Sequence, residues 1–184
     1  MKILMSQRDV RIPPNNFLFD ALERSWYELL HKHQLIPVAN IGVIDETIDF
    51  DCLVLTGGPD SIARHVTEDK LFYHALKQQK PIVGICHGAF TINDLTGGKN
   101  GYIDDHTDTS HLINMEGGVY TVNSYHSQFI ETLGLGMIIT AKDIDGNTEA
   151  FQHESSPIYG IVWHPERMKF PVVPRAVKDL LEID

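Results

Sequence analysis

Pro81-Ile82-Val83-Gly84-Ile85-Cys86-His87-Gly88 is a short apolar run that ends on a cysteine with a glycine at both second neighbours. A buried-looking strand followed at once by such a pentapeptide is the layout of a nucleophile elbow, with Cys in the Ser position of G-x-S-x-G. The glycines have a steric job, because the strand-to-helix turn is so tight that a Cβ two residues either side collides with neighbouring backbone. The sulfur then projects above the sheet, and the N–H groups opening the next helix point at whatever it attacks. Taken alone, the pentapeptide reads as a buried cysteine in an ordinary turn; the rest of the chain changes that balance.

Apolar runs at 2–6, 35–38, 52–55, 81–85 and 158–162 read as strands. They alternate with helical spacing at Leu18, Leu22, Trp26, Leu29 and Leu30, over 68–79, over 89–95 and over 174–181. Strands alternating with helices imply an α/β fold with a mostly parallel central sheet flanked by helices. Asn15-Asn16 is placed to cap the first helix, and Gly97-Gly98 to stop the third. Between 99 and 152 the segments shorten to 111–115, 118–123, 137–141 and 148–152, joined by turns such as Asp145-Gly146, which predicts a small antiparallel β extension. With no repeat, low-complexity tract or linker, residues 1–184 are expected to be a single domain.

The 184 residues carry 15 Lys+Arg against 25 Asp+Glu, a formal charge of −10, with 42% hydrophobic and 22% charged residues. That composition is globular, and without a basic run it offers no nucleic-acid or anionic-membrane surface. No signal-peptide core or membrane span is visible, so the expected location is cytoplasmic. Cys52 and Cys86 sit in separate strand and elbow patterns, which suits a reducing compartment. Cys52 reads as a small core residue.

A cysteine is a useful nucleophile only as the thiolate. His164 ends the 158–162 strand, and Pro165 biases it to extended backbone, which points Glu166 the same way. A carboxylate there fixes the imidazole tautomer and supports the imidazolium. Cys86, His164 and Glu166 are therefore the candidate catalytic triad. Thr56-Gly57-Gly58-Pro59-Asp60 follows the third strand and reads either as a backbone N–H loop facing a substrate or as a plain turn.

With these three motifs in order at strand ends, the chain resembles the class I glutamine amidotransferase family over its whole length. Gly84 to Gly88 matches the nucleophile motif, Thr56 to Asp60 the oxyanion loop, and Trp163-His164-Pro165-Glu166 the His-Pro-Glu signature. The resemblance implies a flavodoxin-like class I glutamine amidotransferase fold and a γ-glutamyl amide hydrolase that works through a thioester on Cys86. Proton transfer then falls to His164, and the oxyanion is held by the N–H groups of Gly58 and His87. It assigns substrate contacts to Gly57 and, through the backbone of residues 122–127, to Asn123, Ser124, Tyr125 and His126, and implies no metal or organic cofactor. The family usually has glutamine two residues after the second elbow glycine; here Phe90 stands there, which bears on whether free glutamine is the substrate.

Met5-Ser6-Gln7-Arg8, the helix with Trp26-Tyr27 and the Asn-Ser-Tyr-His segment resemble the stand-alone γ-glutamyl hydrolase branch. Within it they are similar to the enzymes of capsule biosynthesis that cleave γ-glutamyl-CDP-amidate. Arg8 stands where an anionic leaving group would be met, with an ordinary surface arginine as the competing reading. Two other functions stay open: a glutaminase subunit delivering ammonia to a separate synthase, and a PfpI-like intracellular protease family protein with His87 as the partner of Cys86. A synthase partner or a homo-oligomer is compatible with either hydrolase reading. Asp104-Asp105-His106 with Asp108 and His111 has metal-ligating residue types, but for want of a second cluster it reads as an exposed loop.

Overall fold

Apolar runs too short for helices are satisfied as strands buried on both faces, and the computed structural model, which describes residues 1–104 and 106–184, places them so. In chain order the described elements are β1 (Lys2–Ser6), β2 (Arg8–Ile12), β3 (Phe17–Ala21), α1 (Arg24–Leu29), β4 (Gln34–Val38), β5 (Cys52–Leu55), α2 (Ile62–Lys77), β6 (Ile82–Ile85) and α3 (His87–Leu95). There follow β7 (Lys99–Tyr102), β8 (Thr107–Met115), β9 (Gly118–Tyr125), β10 (Gln128–Thr132), β11 (Met137–Asp143), β12 (Thr148–His153), β13 (Ile158–Ile161), a 3₁₀ turn at Pro165–Arg167 and α4 (Arg175–Leu180).

One nine-stranded sheet runs in the order β4-β1-β5-β6-β13-β12-β11-β8-β9. The pairings from β4 to β13 are parallel, and those from β13 to β9 are antiparallel. The antiparallel extension thus continues the parallel sheet.

Side chains alternate across a strand, so each parallel strand feeds two cores. Ile3, Met5, Cys52, Val54, Val83 and Ile85 join Trp26, Leu30, Val177 and Leu181 on one face. Leu4, Leu53, Leu55 and Ile82 meet Leu71, Phe72 and Ala75 of α2 and Ala89, Phe90 and Ile92 of α3 on the other. Among the described residues no helix is long and apolar enough to cross a membrane.

Three local expectations are corrected. The first helix does not begin near Leu18: residues 8–21 form a β2–β3 hairpin, with Val10 opposite Phe19 and Ile12 opposite Phe17, turning through Asn16 at φ 52°. Cross-strand apolar pairing outweighs the helical spacing there, and only Arg24–Leu29 is helical, without a side-chain cap. The second helix begins at Ile62 rather than Glu68, because Ser61 Oγ accepts a hydrogen bond from the Arg64 N–H at 3.1 Å and caps it. The β7–β10 pair, built largely from polar or half-buried residues, has no counterpart in the apolar pattern.

Candidate active site

The sheet order sets the carboxyl ends of β5, β6 and β13 side by side, and the three sequence motifs follow those strands. Ligands of open α/β sheets bind at that edge. Cys86 turns the chain from β6 into α3 at φ 51°, ψ −107°. That region costs a non-glycine residue of order 1–3 kcal/mol and persists only where surroundings impose it. The Cys86 N–H donates to Ile161 O at 2.7 Å, and its carbonyl accepts from Ala89 at 2.9 Å, holding the turn from both sides. A Cβ on Gly84 would run into the backbone of Gly88 and Ala89, and one on Gly88 into the Leu55 carbonyl.

His164 follows β13, and the 3₁₀ turn opened by Pro165 carries Glu166 back beside it. His164 Nδ1 donates to Glu166 Oε1 at 2.6 Å, with both side chains buried. Asn123 fixes the His164 backbone from β9: its Oδ1 accepts the His164 N–H and its Nδ2 donates to the His164 carbonyl, each at 2.8 Å. Gly57 leaves the space the ring occupies, since a Cβ there would lie 3.1 Å from Nδ1 and 3.2 Å from Nε2. Burial pulls the His164 pKa down, but hydrogen bonds to Cys86 and Glu166 outweigh it and hold the pKa at about 9. The carboxylate and the sulfur on either side of the ring thus both favour its charged form.

A cavity of about 290 Å³ lined by Arg8, Gly58, Pro59, Cys86, Tyr125, His164 and Arg167 opens over the sulfur. A second space shares Gly58, Pro59, Cys86 and Tyr125 and extends past His87, Phe90 and His126. Gly58 lines both spaces and His87 the second, and the Gly58 N–H donates to no protein acceptor among the described residues.

The Peptidase C26 family model matches residues 33–166, a span that takes in the Gly57-Gly58 loop and Cys86 and ends on Glu166. The chain belongs to the Peptidase C26 family, the class I glutamine amidotransferases. It is 29% identical over 164 residues to a γ-glutamyl-CDP-amidate hydrolase of Campylobacter jejuni, covering 80% of this chain and 81% of that one. A Schizosaccharomyces pombe relative is 32% identical over 127 residues, and there the match spans 50% of the relative's length. A glutamine amidotransferase from Thermotoga maritima shares the fold, with a TM-score of 0.70 at 14% identity over 98% of this chain and 80% of that one. As a Peptidase C26 member the chain is an amide hydrolase.

Within this Peptidase C26 chain the other predicted residues divide. Tyr125 lines both cavities, its ring 5.7 Å from that of His164. Phe90 and His126 line the second cavity with ring centroids 6.1 Å apart. Asn123 spends its amide on His164, and Ser124 is buried with Oγ donating to His106 O at 2.5 Å, so neither side chain is free for a ligand. Arg8 reaches the cavity and sits 3.3 Å from Glu23, which also binds Arg167 at 2.8 Å. The His87 ring turns away from the sulfur to Glu68, at 2.9 Å, so the imidazole set against Cys86 is that of His164.

Sequence reasoning missed the support beneath the elbow. Glu68 Oε1 accepts from Ser6 Oγ at 2.7 Å and Arg64 Nε at 2.9 Å, and Oε2 accepts from His87. Burial raises the Glu68 pKa, but the bonds to His87, Arg64 and Ser6 reverse that and hold it at about 2. Arg64 in turn donates to the carbonyls of Thr56, Gly57 and Pro59, at 2.5, 3.4 and 3.1 Å. The carbonyls of the Gly57-Gly58 loop thereby point inward. The i,i+4 spacing of Arg64 and Glu68 was the available signal, but it reads as an exposed pair. Arg167, whose guanidinium lies 5.1 Å over the Tyr125 ring, follows the His-Pro-Glu signature and was also missed. Cys52 is different in kind, because burial and Asp51 push its thiol up to about 12.

Proposed function

We propose that residues 1–184 act as one domain that hydrolyses a γ-glutamyl amide by acyl transfer through Cys86. The observation that carries this reading is the buried His164–Glu166 pair, hydrogen-bonded at 2.6 Å, whose imidazole lines one cavity with Cys86. The Cys86 sulfur attacks the γ-carbonyl carbon while His164 holds the proton, and the N–H groups of Gly58 and His87 receive the oxyanion. Collapse breaks the C–N bond, with the His164 proton going to the leaving nitrogen, and a γ-glutamyl thioester remains. Water then attacks the thioester, giving a proton to His164; glutamate leaves, and sulfur and imidazole return to their starting state.

The leaving group we assign is anionic. Arg8 and Arg167 both line the Cys86 cavity; Glu23 binds both, and Glu166 Oε1, already bonded to His164, lies 3.8 Å from Arg167, so two guanidinium groups face the cavity with their carboxylates behind them. Arg8 Nε has no partner among the described residues. A phosphoryl group beside the scissile amide suits such a site, which favours a γ-glutamyl nucleotide amidate over free glutamine and accords with Phe90 in the wall. The test is glutamate release from free glutamine, γ-glutamyl amines and γ-glutamyl nucleotide amidates, with Cys86→Ser as control. The expected result is highest kcat/KM for the nucleotide amidate. Cleavage of glutamine alone, and only with a second protein present, would replace this reading with ammonia delivery.

A further inference from the structure

Three histidines and a glutamate converge on the far side of the wall made by Phe90 and His126. His106 precedes β8, His111 lies within it, His126 follows β9, and Glu149 is on β12. The ring centroids of His106 stand 5.1 Å from His111 and 5.2 Å from His126, and those of His111 and His126 are 6.2 Å apart. One ligand atom from each of His106, His111 and Glu149 lies within 4.8 Å of the others. His126 Nε2 is 3.8 Å from Glu149 Oε1.

These atoms are close without being bonded. His111 Nε2 stands 3.3 Å from Glu149 Oε2 but off the line a hydrogen bond needs. Both of those atoms, His111 Nδ1 and His126 Nε2 lack a partner among the described residues. The His126 and Glu149 side chains are 2% and 1% exposed, so bulk solvent does not reach them. Buried polar groups left this way are rare and need a reason. The tautomers point the same way. His126 Nδ1 donates to the Gln128 carbonyl at 2.7 Å, which leaves its Nε2 with a lone pair directed onward; His106 Nδ1 stands 3.1 Å from the Asp104 carbonyl, and its Nε2 also stands 3.5 Å from Asp143 Oδ2, a second carboxylate at the edge of the cluster. A carbonyl on the outer nitrogen is the usual support of a metal-bound imidazole.

We propose that His106, His111, His126 and Glu149 bind one divalent ion of the zinc type. Three imidazoles and a carboxylate make a nitrogen-rich set that suits zinc over calcium or magnesium, which take oxygen. A tetrahedral zinc site sets its ligand atoms about 3.4 Å apart, so the cluster closes by small side-chain rotations. With four protein ligands the site is closed and structural rather than catalytic. Its effect on the active site runs through Tyr125 to Gln128, which line the second cavity and are anchored to the cluster by His126. The His126 N–H also donates to His106 O at 3.2 Å, which ties the two ligands together before any ion binds. The exposed-loop expectation holds for Asp104; Asp108 is exposed but lies in β8, His106 and His111 are only half-exposed, and His126 and Glu149 are the second cluster that the local sequence did not supply. Asp105 lies outside the described residues.

The test is metal binding by the full chain, independent of substrate turnover. Chelator-treated protein is titrated with Zn²⁺ by calorimetry and with Co²⁺ by visible absorption. The expected result is one ion per chain, with cobalt bands of tetrahedral nitrogen and oxygen ligation and no thiolate charge transfer. Glu149→Gln and His111→Ala each weaken binding by at least about 100-fold, while Cys86→Ser binds as wild type. Glu149→Gln keeps the shape of the side chain, so it carries the test where His111→Ala fails to fold. Absence of stoichiometric binding, wild-type affinity in Glu149→Gln, or loss of binding in Cys86→Ser each overturns the assignment.

Discussion

Gly57→Ala is the smallest change that should disable the site without touching a reacting group. Gly57 is outside the left-handed region, unlike Gly58 at φ +134°, so alanine fits its backbone. The atoms nearest the added methyl all belong to the His164 ring, 3.1 Å from Nδ1, 3.2 Å from Nε2 and nearer still to the carbon between them. Carbon atoms in contact sit about 3.5–4.0 Å apart, so the ring must give way by about 1 Å. It cannot do so freely, because Glu166 holds Nδ1 at 2.6 Å and Asn123 holds the backbone on both sides at 2.8 Å. A displacement of about 1 Å from a productive geometry costs about 100-fold in rate, about 2.7 kcal/mol of activation free energy. We expect kcat on a γ-glutamyl amide to fall by that factor, with KM changed far less and with the circular dichroism spectrum and thermal midpoint close to wild type. Turnover within threefold of wild type, or loss of activity only through loss of fold, would refute the idea that Gly57 exists to seat the His164 ring.

Glu166→Gln tests the proton inventory. A His164 pKa raised from 6.5 to about 9 contributes stability that is complete below pH 6.5 and is lost as pH rises through 9, on the order of 3 kcal/mol in all. Thermal midpoints measured from pH 6 to 10 should fall across that window in wild type and fall less in Glu166→Gln. Glu68→Ala strands a buried arginine, so urea unfolding should show a loss of about 3–5 kcal/mol; a loss below 1 kcal/mol would mean that water reaches Arg64. Brief iodoacetamide treatment at pH 7 should modify Cys86 and leave Cys52, whose thiol burial pushes up to about 12, with peptide mass spectrometry as the readout. Because the aligned His164–Glu166 pair already exists in the isolated chain, purified protein should release glutamate without a second protein; activity that appears only on adding one sinks that expectation.

Which features were legible follows from how far along the chain their causes lie. Gly84 answers a clash with Gly88 and Ala89 just ahead of it in the chain and so announces itself, whereas Gly88 answers one with Leu55 on β5 and is legible only through the motif. The triad residues follow strands whose apolar runs are plain, and parallel neighbours bring their ends together. Leu18 and Leu22 misled because leucines four apart satisfy a helix, whereas the interaction that decides residues 8–21 pairs Val10 with Phe19 nine positions away. Arg64 and Glu68 have surface-helix spacing, and only the packing of α2 beneath the elbow makes their side chains 0% exposed.

The histidine cluster lies at the far end of that scale, and the reason is geometric. Helical and loop metal sites place ligands at short fixed spacings that a sequence displays. Here the β8–β9 hairpin sets His111 opposite Val122 and brings the flanking His106 and His126 together, while β11 and β12 carry Glu149 in from residues near the chain's other motifs. Each ligand's partner is chosen by strand register, and a shift of one residue in β8 would send His111 to the opposite face. A bulge between Thr107 and Thr109 lies just where His106 must turn inward. Such irregularities re-aim side chains near functional sites. Straightening this one by deleting Asp108 should abolish zinc binding while leaving β8 paired with β9, a result the calorimetric titration reads directly.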